Sequence, residues 1–158
     1  MRLEEQVMKK LMEHHITVTT TESCTGGLLA GTMLNVPGAS AVYEEGYITY
    51  SNQAKEKLLG VSHETLQKYG AVSKETAEEM AAGAARSAKA DAALSTTGIA
   101  GPDGGTKEKP VGLIYIGCSL FGKVTVRELR LHGTREENRN ETVRQALLLL
   151  AEQVSCIK

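Results

Sequence analysis

Residues 19–27 read TTTESCTGG, a run that begins as a β-strand and ends as something else. Three β-branched threonines suit a pleated, half-buried backbone, and Thr25-Gly26-Gly27 breaks it. Upstream, Ile16-Thr17-Val18 extends the strand. Downstream, TGGLLAGTMLNV (25–36) has the pattern of a short helix that starts within Thr25–Gly27 and stops before the turn Pro37-Gly38-Ala39-Ser40. A strand that turns directly into a helix is the unit from which layered α/β folds are built. At its corner stand an acid, Glu22, and two potential nucleophiles, Ser23 and Cys24.

The flanking segments continue the alternation. Leu3, Val7, Met8, Leu11 and Met12 recur at helical spacing, which predicts an opening amphipathic helix ending near His14-His15. Adjacent histidines on a helix point to different sides, so this pair reads as solvated or capping rather than metal-binding. VYEEGYITYS (42–51) alternates as a strand or hairpin arm, and NQAKEKLLGV (52–61) reads as a helix stopped by Gly60. Ala77, Met80, Ala81, Ala84 and Ala88 line one face of a helix capped by Ser73, with side chains small enough for close packing on a sheet. DAALSTTGIA (91–100) is a short buried strand running into a glycine-rich loop. Two apolar strands between Val111 and Leu131 flank Phe121-Gly122-Lys123 as an antiparallel hairpin. Thr134 and Glu137 have capping-box spacing ahead of a final helix whose stripe is Val143, Ala146, Leu147, Leu150, Ala151 and Val154. The expected fold is α/β, a three-layer α/β/α sandwich with a mixed, mostly parallel β-sheet, in one domain over 1–158.

Composition excludes several roles. With 158 residues there is room for one good core. Eighteen basic and 19 acidic residues leave a formal charge of -1, so no global field draws the chain to nucleic acid or an anionic membrane. Five tyrosines, one phenylalanine and no tryptophan offer few platforms for stacking bases. Cys24, Cys118 and Cys156 are odd in number and widely spaced, which argues for a reducing cytoplasm and against a structural zinc site. The charged N-terminus is unlike a signal peptide and no apolar run could span a bilayer, so a cytoplasmic protein is expected.

Four stretches could carry chemistry. Serine needs a base to remove its proton and donors for the oxyanion it creates. Ser23, followed by the backbone N–H groups of Thr25, Gly26 and Gly27 at a helix start, has that setting, although Ser and Thr are also common caps and the G-x-S-x-G pattern is absent. In YITYSNQAKEKLLG (47–60), Tyr50 and Lys55 form a candidate relay and base, with Lys57 as rival. The loop TTGIAGPDGGTKEKPVG (96–112) brings Gly98, Gly101, Gly104, Gly105 and Asp103 together, a backbone able to approach a ligand closely or simply a long surface turn. Arg135 and Arg139 lie four apart at a helix start, where they could clamp a phosphate or pair with Glu136 and Glu141.

Taken together, TTTESCTGG, YITYSNQAKEKLLGV, YGAVSKETAEEMA, STTGIAGPDGGTKEKPVGLIYIG and the final R…NR helix resemble the successive blocks of the CinA C-terminal domain family over nearly the whole chain. ESCTGG with GIAGPDGG is a specific combination. The characterised stand-alone members are nicotinamide-nucleotide amidases. The resemblance implies hydrolysis of the carboxamide of nicotinamide mononucleotide to nicotinate mononucleotide and ammonia, with Ser23 as nucleophile and Lys55 and Tyr50 assisting. One departure stands out: Gly133-Thr134-Arg135 occupies the place where members often have Gly-Asp-Arg.

Under this reading Glu22, Thr25, Gly26, Gly27, the loop residues and the two arginines bind substrate, Arg139 more firmly assigned than Arg135. No cofactor or metal is expected. The partners are a small pyridine nucleotide and further copies of the chain, with no nucleic acid and no membrane. Two alternatives belong to other classes: a non-catalytic nucleotide-binding or regulatory module of a competence- or damage-inducible protein, and a structural oligomerisation domain. Ammonia release discriminates among them.

Overall fold

Residues 1–157 are described by a computed structural model of the chain. The elements follow in the order α1 (Leu3–Glu13), β1 (Val18–Glu22), α2 (Leu28–Leu34), a 3₁₀ turn (Ala39–Ala41), β2 (Tyr47–Ile48), α3 (Asn52–Leu59), α4 (His63–Tyr69), α5 (Lys74–Ala88), β3 (Ala92–Gly98), β4 (Leu113–Leu120), β5 (Lys123–Arg130) and α6 (Arg135–Ser155). The strands form one mixed sheet in the order β2-β1-β3-β4-β5. β1 pairs in parallel with both β2 and β3, whereas β3–β4 and β4–β5 are antiparallel. Four strands therefore point one way and β4 opposes them.

Helices cover both faces. On one, α1, α2 and α6 bury Val7, Met8, Leu11, Leu29, Met33, Leu147 and Leu150 against Leu94, Ile114 and Ile116. On the other, α3, α4 and α5 contribute Leu59, Leu66, Met80 and Ala84, packed with Ala93. The expected three layers are present. The alanine face of α5 allows a close approach to β4: a Cβ added at Gly117 would lie 2.9 Å from the Ala77 carbonyl oxygen, and Ser95 Oγ donates to that carbonyl at 2.7 Å.

The threonine run succeeds as a buried strand because each hydroxyl finds a partner. Thr19 donates to the Glu45 carbonyl (2.7 Å), Thr20 bonds the Tyr43 phenol (2.7 Å) and Thr21 bonds Thr49 (2.8 Å). All five residues of β1 are buried.

The segment 42–51 differs from its alternating pattern. Only Tyr47–Ile48 forms a strand, and it runs parallel to β1, so it is no hairpin arm. The preceding residues make a single backbone bridge to β1, Val18 N–H donating to the Val42 carbonyl at 2.8 Å, and otherwise meet its threonine hydroxyls through the Tyr43 phenol and the Glu45 carbonyl. The turn at Pro37–Ser40 tightens into 3₁₀ geometry. α4 is an additional helix that hydrophobic periodicity misses because only Leu66 of its seven residues is buried. The hairpin at Phe121-Gly122 turns with φ of 48° and 84°, the left-handed pair that matches strand twist.

This topology gathers five chain segments at one sheet edge. β1, β2 and β3 are parallel neighbours, so Ser23, Thr49-Tyr50 and Gly98–Ala100 emerge side by side. β5 ends in the same direction, and α6 begins there. Such an edge, beyond the C-terminal ends of parallel strands, is where open α/β sheets usually bind ligands.

Candidate active site

The corner after β1 is built by Glu22. Its carboxylate is fully buried, accepting from the hydroxyl of Thr25, from Leu29 N–H (2.8 Å) and from Ala30 N–H (3.0 Å). These contacts satisfy orphan donors of α2 and place a negative charge at its start. Gly27 caps the helix at φ 105°, a conformation costly for any residue with a Cβ. The Thr25 hydroxyl also meets Thr96 Oγ1 at 2.8 Å, and Ser23 N–H donates to the Thr96 carbonyl at 2.9 Å. Glu22 and Thr25 thus hold the turn that presents Ser23, and their side-chain oxygens are occupied within it.

Against Ser23 lies Lys55. It projects from the buried side of α3, one turn before Leu59, and is fully buried, whereas Lys57 is exposed. Its Nζ donates to Ser23 Oγ (3.2 Å), to the Thr49 carbonyl (2.8 Å) and to the Tyr50 carbonyl (3.4 Å). Burial lowers the Lys55 pKa to about 8, because a desolvated ammonium is disfavoured. Ser23 Oγ can itself donate to the Tyr50 carbonyl at 3.4 Å. Burial pushes the neighbouring Cys24 thiol up to about 11, which keeps it protonated at neutral pH.

Tyr50 meets the Ser23–Lys55 pair through its backbone carbonyl. Its exposed phenol lies instead near Arg135, whose guanidinium donates to it at 3.5 Å. A cleft of about 220 Å³ joins these groups: Ser23 and Lys55 line it together with Tyr50, Ala71, Val72, Thr97, Gly98, Ala100 and Arg135, and Cys24 adjoins the nucleophile. None of these lining residues is acidic. A larger hollow of about 420 Å³, between α1, α2 and α6, contains no nucleophile–base pair.

The donors expected at Thr25–Gly27 are only partly free. Gly26 N–H closes a turn on the Ser23 carbonyl at 3.2 Å. Among the described residues, the N–H groups of Cys24, Thr25 and Gly27 have no acceptor, and Cys24 lines the cleft.

The two arginines separate. Arg135 is exposed at the cleft rim, anchored by a 2.9 Å bond to the Gly101 carbonyl. Arg139 turns its Nε and one terminal nitrogen onto the carbonyls of Cys24 (3.0 Å) and Thr25 (2.8 Å). Neither makes an ion pair among the described residues; Glu141 pairs with Arg144. In the glycine-rich loop, Gly98 lines the cleft and Gly101 anchors Arg135, but Asp103, Gly104 and Gly105 are exposed and lie outside the cleft lining. That loop closes on itself through Gly112 N–H and the Ile99 carbonyl (2.7 Å).

Sequence reasoning passed over Asn138. Its buried amide donates to the Ala100 (3.0 Å) and Gly133 (3.1 Å) carbonyls and accepts from Gly133 N–H (3.0 Å), joining two loops to α6. A signal existed: an amide beside Arg139 in the second turn of an otherwise charged helix start.

Fold and site define an α/β protein with a buried serine–lysine pair at a sheet edge. The chain belongs to the CinA C-terminal domain family, whose model matches residues 1–154. A relative from Clostridium novyi (strain NT), named for competence-damage inducibility, is 57% identical over 145 residues, covering 92% of this chain and 35% of the relative. The chain spans about a third of the length of the curated relatives it matches. Among solved structures, a CinA superfamily protein from Klebsiella pneumoniae superposes with a TM-score of 0.93 at 34% identity, covering 97% of this chain and 96% of that one. The competence/damage inducible protein CihA from Agrobacterium tumefaciens gives a TM-score of 0.89 at 42% identity, with 96% of each chain covered. No helix among the described residues is long and apolar enough to cross a membrane.

Proposed function

We propose that the chain is an amidohydrolase that converts nicotinamide mononucleotide to nicotinate mononucleotide and ammonia. The observation that carries this reading is the 3.2 Å contact between a buried, pKa-lowered Lys55 and Ser23 Oγ in a cleft without acids. A neutral Lys55 takes the Ser23 proton as Oγ attacks the carboxamide carbon. Cys24 N–H, without an acceptor among the described residues, receives the developing oxyanion. Lys55 then returns the proton to the nitrogen, ammonia leaves, and an ester to Ser23 remains. Water attacks that ester while Lys55 takes one of its protons and passes it to Ser23 Oγ as the acyl bond breaks, and the product acid loses its remaining proton to solvent. Tyr50 assists from the Arg135 side of the cleft, and Arg135, at the rim and without an acidic partner among the described residues, takes the ribose phosphate. The domain carries out this reaction in the cytoplasm, within a homo-oligomer and without cofactor.

The alternative is a nucleotide-binding module of a longer competence- or damage-inducible protein, favoured by the chain's covering only a third of its curated relatives. Ammonia release by the purified protein, compared with Ser23→Ala, tests the choice. Release lost in the variant supports the amidase; nucleotide binding without release supports the module.

A further inference from the structure

Arg139 lies at the start of α6, as a phosphate ligand would, yet both of its bonded nitrogens face the protein. They donate to the Cys24 and Thr25 carbonyls, 115 and 114 residues away in sequence. The geometry points to Arg139 as a positioning residue that sets the backbone donors of the nucleophile turn. The inference rests on the reading of Ser23 as nucleophile.

In a trans peptide the N–H points opposite to the C=O. Drawing the Cys24 carbonyl onto Arg139 therefore turns the Thr25 N–H away from α6. Drawing the Thr25 carbonyl the same way turns the Gly26 N–H back, where it reaches the Ser23 carbonyl at 3.2 Å. That bond holds the Ser23 carbonyl, and so aims the Cys24 N–H in the opposite sense. The guanidinium, alone on the Cys24 carbonyl and sharing the Thr25 carbonyl with Leu28 N–H (3.0 Å), thus helps to fix three consecutive peptide groups and leaves Cys24 and Thr25 N–H without an acceptor among the described residues. Gly26 supports the arrangement. It is left-handed (φ 55°), and a Cβ there would stand 3.5 Å from the Arg139 guanidinium. The neighbouring Asn138 and Arg135 tie the same stretch of helix to Ala100 and Gly101, so the device is braced on the other wall of the cleft.

The test compares Arg139→Met, Arg139→Gln and Arg139→Lys with the parent in two assays. Steady-state ammonia release is measured on nicotinamide mononucleotide and on its nucleoside. Labelling of Ser23 by a small alkyl fluorophosphonate, in which Oγ displaces fluoride from phosphorus, needs no phosphate site. Positioning predicts that Arg139→Met lowers kcat about 100-fold, the scale of a lost oxyanion donor, with KM within about threefold. The same factor applies to nucleotide and nucleoside, and labelling slows in parallel. Arg139→Lys does not restore it, since an ammonium cannot span both carbonyls in fork geometry. Arg139→Gln, which keeps one donor and guards against a collapsed turn, falls between.

A raised KM with kcat retained, a loss confined to the nucleotide, or rescue by lysine would overturn the inference and make Arg139 a phosphate ligand. If the parent releases no ammonia, labelling still decides: slowed Ser23 modification in Arg139→Met upholds the positioning role although the amidase reading fails. Absence of labelling in the parent, at a rate no different from Ser23→Ala, sinks both.

Discussion

Lys55 Nζ and Ser23 Oγ stand 3.2 Å apart, thirty-two residues distant in sequence, with the lysine fully shielded from solvent. Its ammonium is satisfied by the Thr49 and Tyr50 carbonyls and by Ser23 itself. No carboxylate sits in the cleft to hold the proton there, so burial prevails and the pKa falls to about 8.

Activity should follow that proton. With a pKa of about 8, roughly a tenth of Lys55 is neutral at pH 7, so kcat/KM should rise with pH and level off above about 8. Lys55→Arg keeps charge without a usable base and should reduce kcat at least about 1000-fold while nucleotide binding stays measurable. Normal turnover in Lys55→Arg, or inactivity of Lys57→Ala, would refute the assignment.

The same shift should appear in stability. Between pH 8 and 10.5 the unfolded chain carries a proton on Lys55 that the fold does not, so raising the pH through this window favours the fold; below 8 the buried ammonium costs it. The unfolding free energy of the parent minus that of Lys55→Met should rise by up to about 3 kcal/mol from pH 7 to 11. The Cys24 thiol, pushed up to about 11, works the opposite way at the upper end in both proteins, so the comparison is made in a Cys24→Ala background. Chemical denaturation at a series of pH values measures it, and a flat difference would contradict a lowered pKa.

Ser23 and Cys24 are adjacent, but burial holds the thiol near 11. Cys24→Ala should keep most of its activity, within about tenfold, while Ser23→Ala loses nearly all of it. Peptide mapping after fluorophosphonate treatment locates the label; a label on Cys24 would move the nucleophile one residue along.

Arg135 reaches the cleft rim without an acidic partner among the described residues. Arg135→Ala should raise KM for the nucleotide about tenfold or more with kcat little changed, and the nucleoside should be a poor substrate for the parent. Equal rates for nucleoside and nucleotide would remove the phosphate role.

Glu22→Gln probes the corner itself. A carboxylate accepts from three donors, and an amide nitrogen in its place would face one of those N–H groups without bonding it. The expected loss is about 1–3 kcal/mol in stability, with slower Ser23 labelling. A thermal melt unchanged from the parent would show that the turn does not depend on the charge.

The local pattern of the chain already determined its strand–corner–helix units, the β4–β5 hairpin, the Thr134–Glu137 capping box and the amphipathic stripes, because each arises from neighbours within about a turn or a pleat. It also offered Ser23, Tyr50, Lys55 and Arg139 as candidates, with Arg135 behind Arg139. Tertiary structure alone decided what these groups do to one another. Lys55 and Lys57 are equivalent in composition, and only docking of α3 against the sheet buries one and leaves the other in water. Tyr50 offered a phenol, but the parallel placement of β2 beside β1 turned its carbonyl to the serine. Arg139 was absorbed by the distant Cys24 and Thr25 carbonyls, and Asn138 by the Ala100 carbonyl as well as by Gly133 nearby. Such choices depend on which unpaired backbone groups meet at the sheet edge, and a one-dimensional pattern carries no record of that meeting.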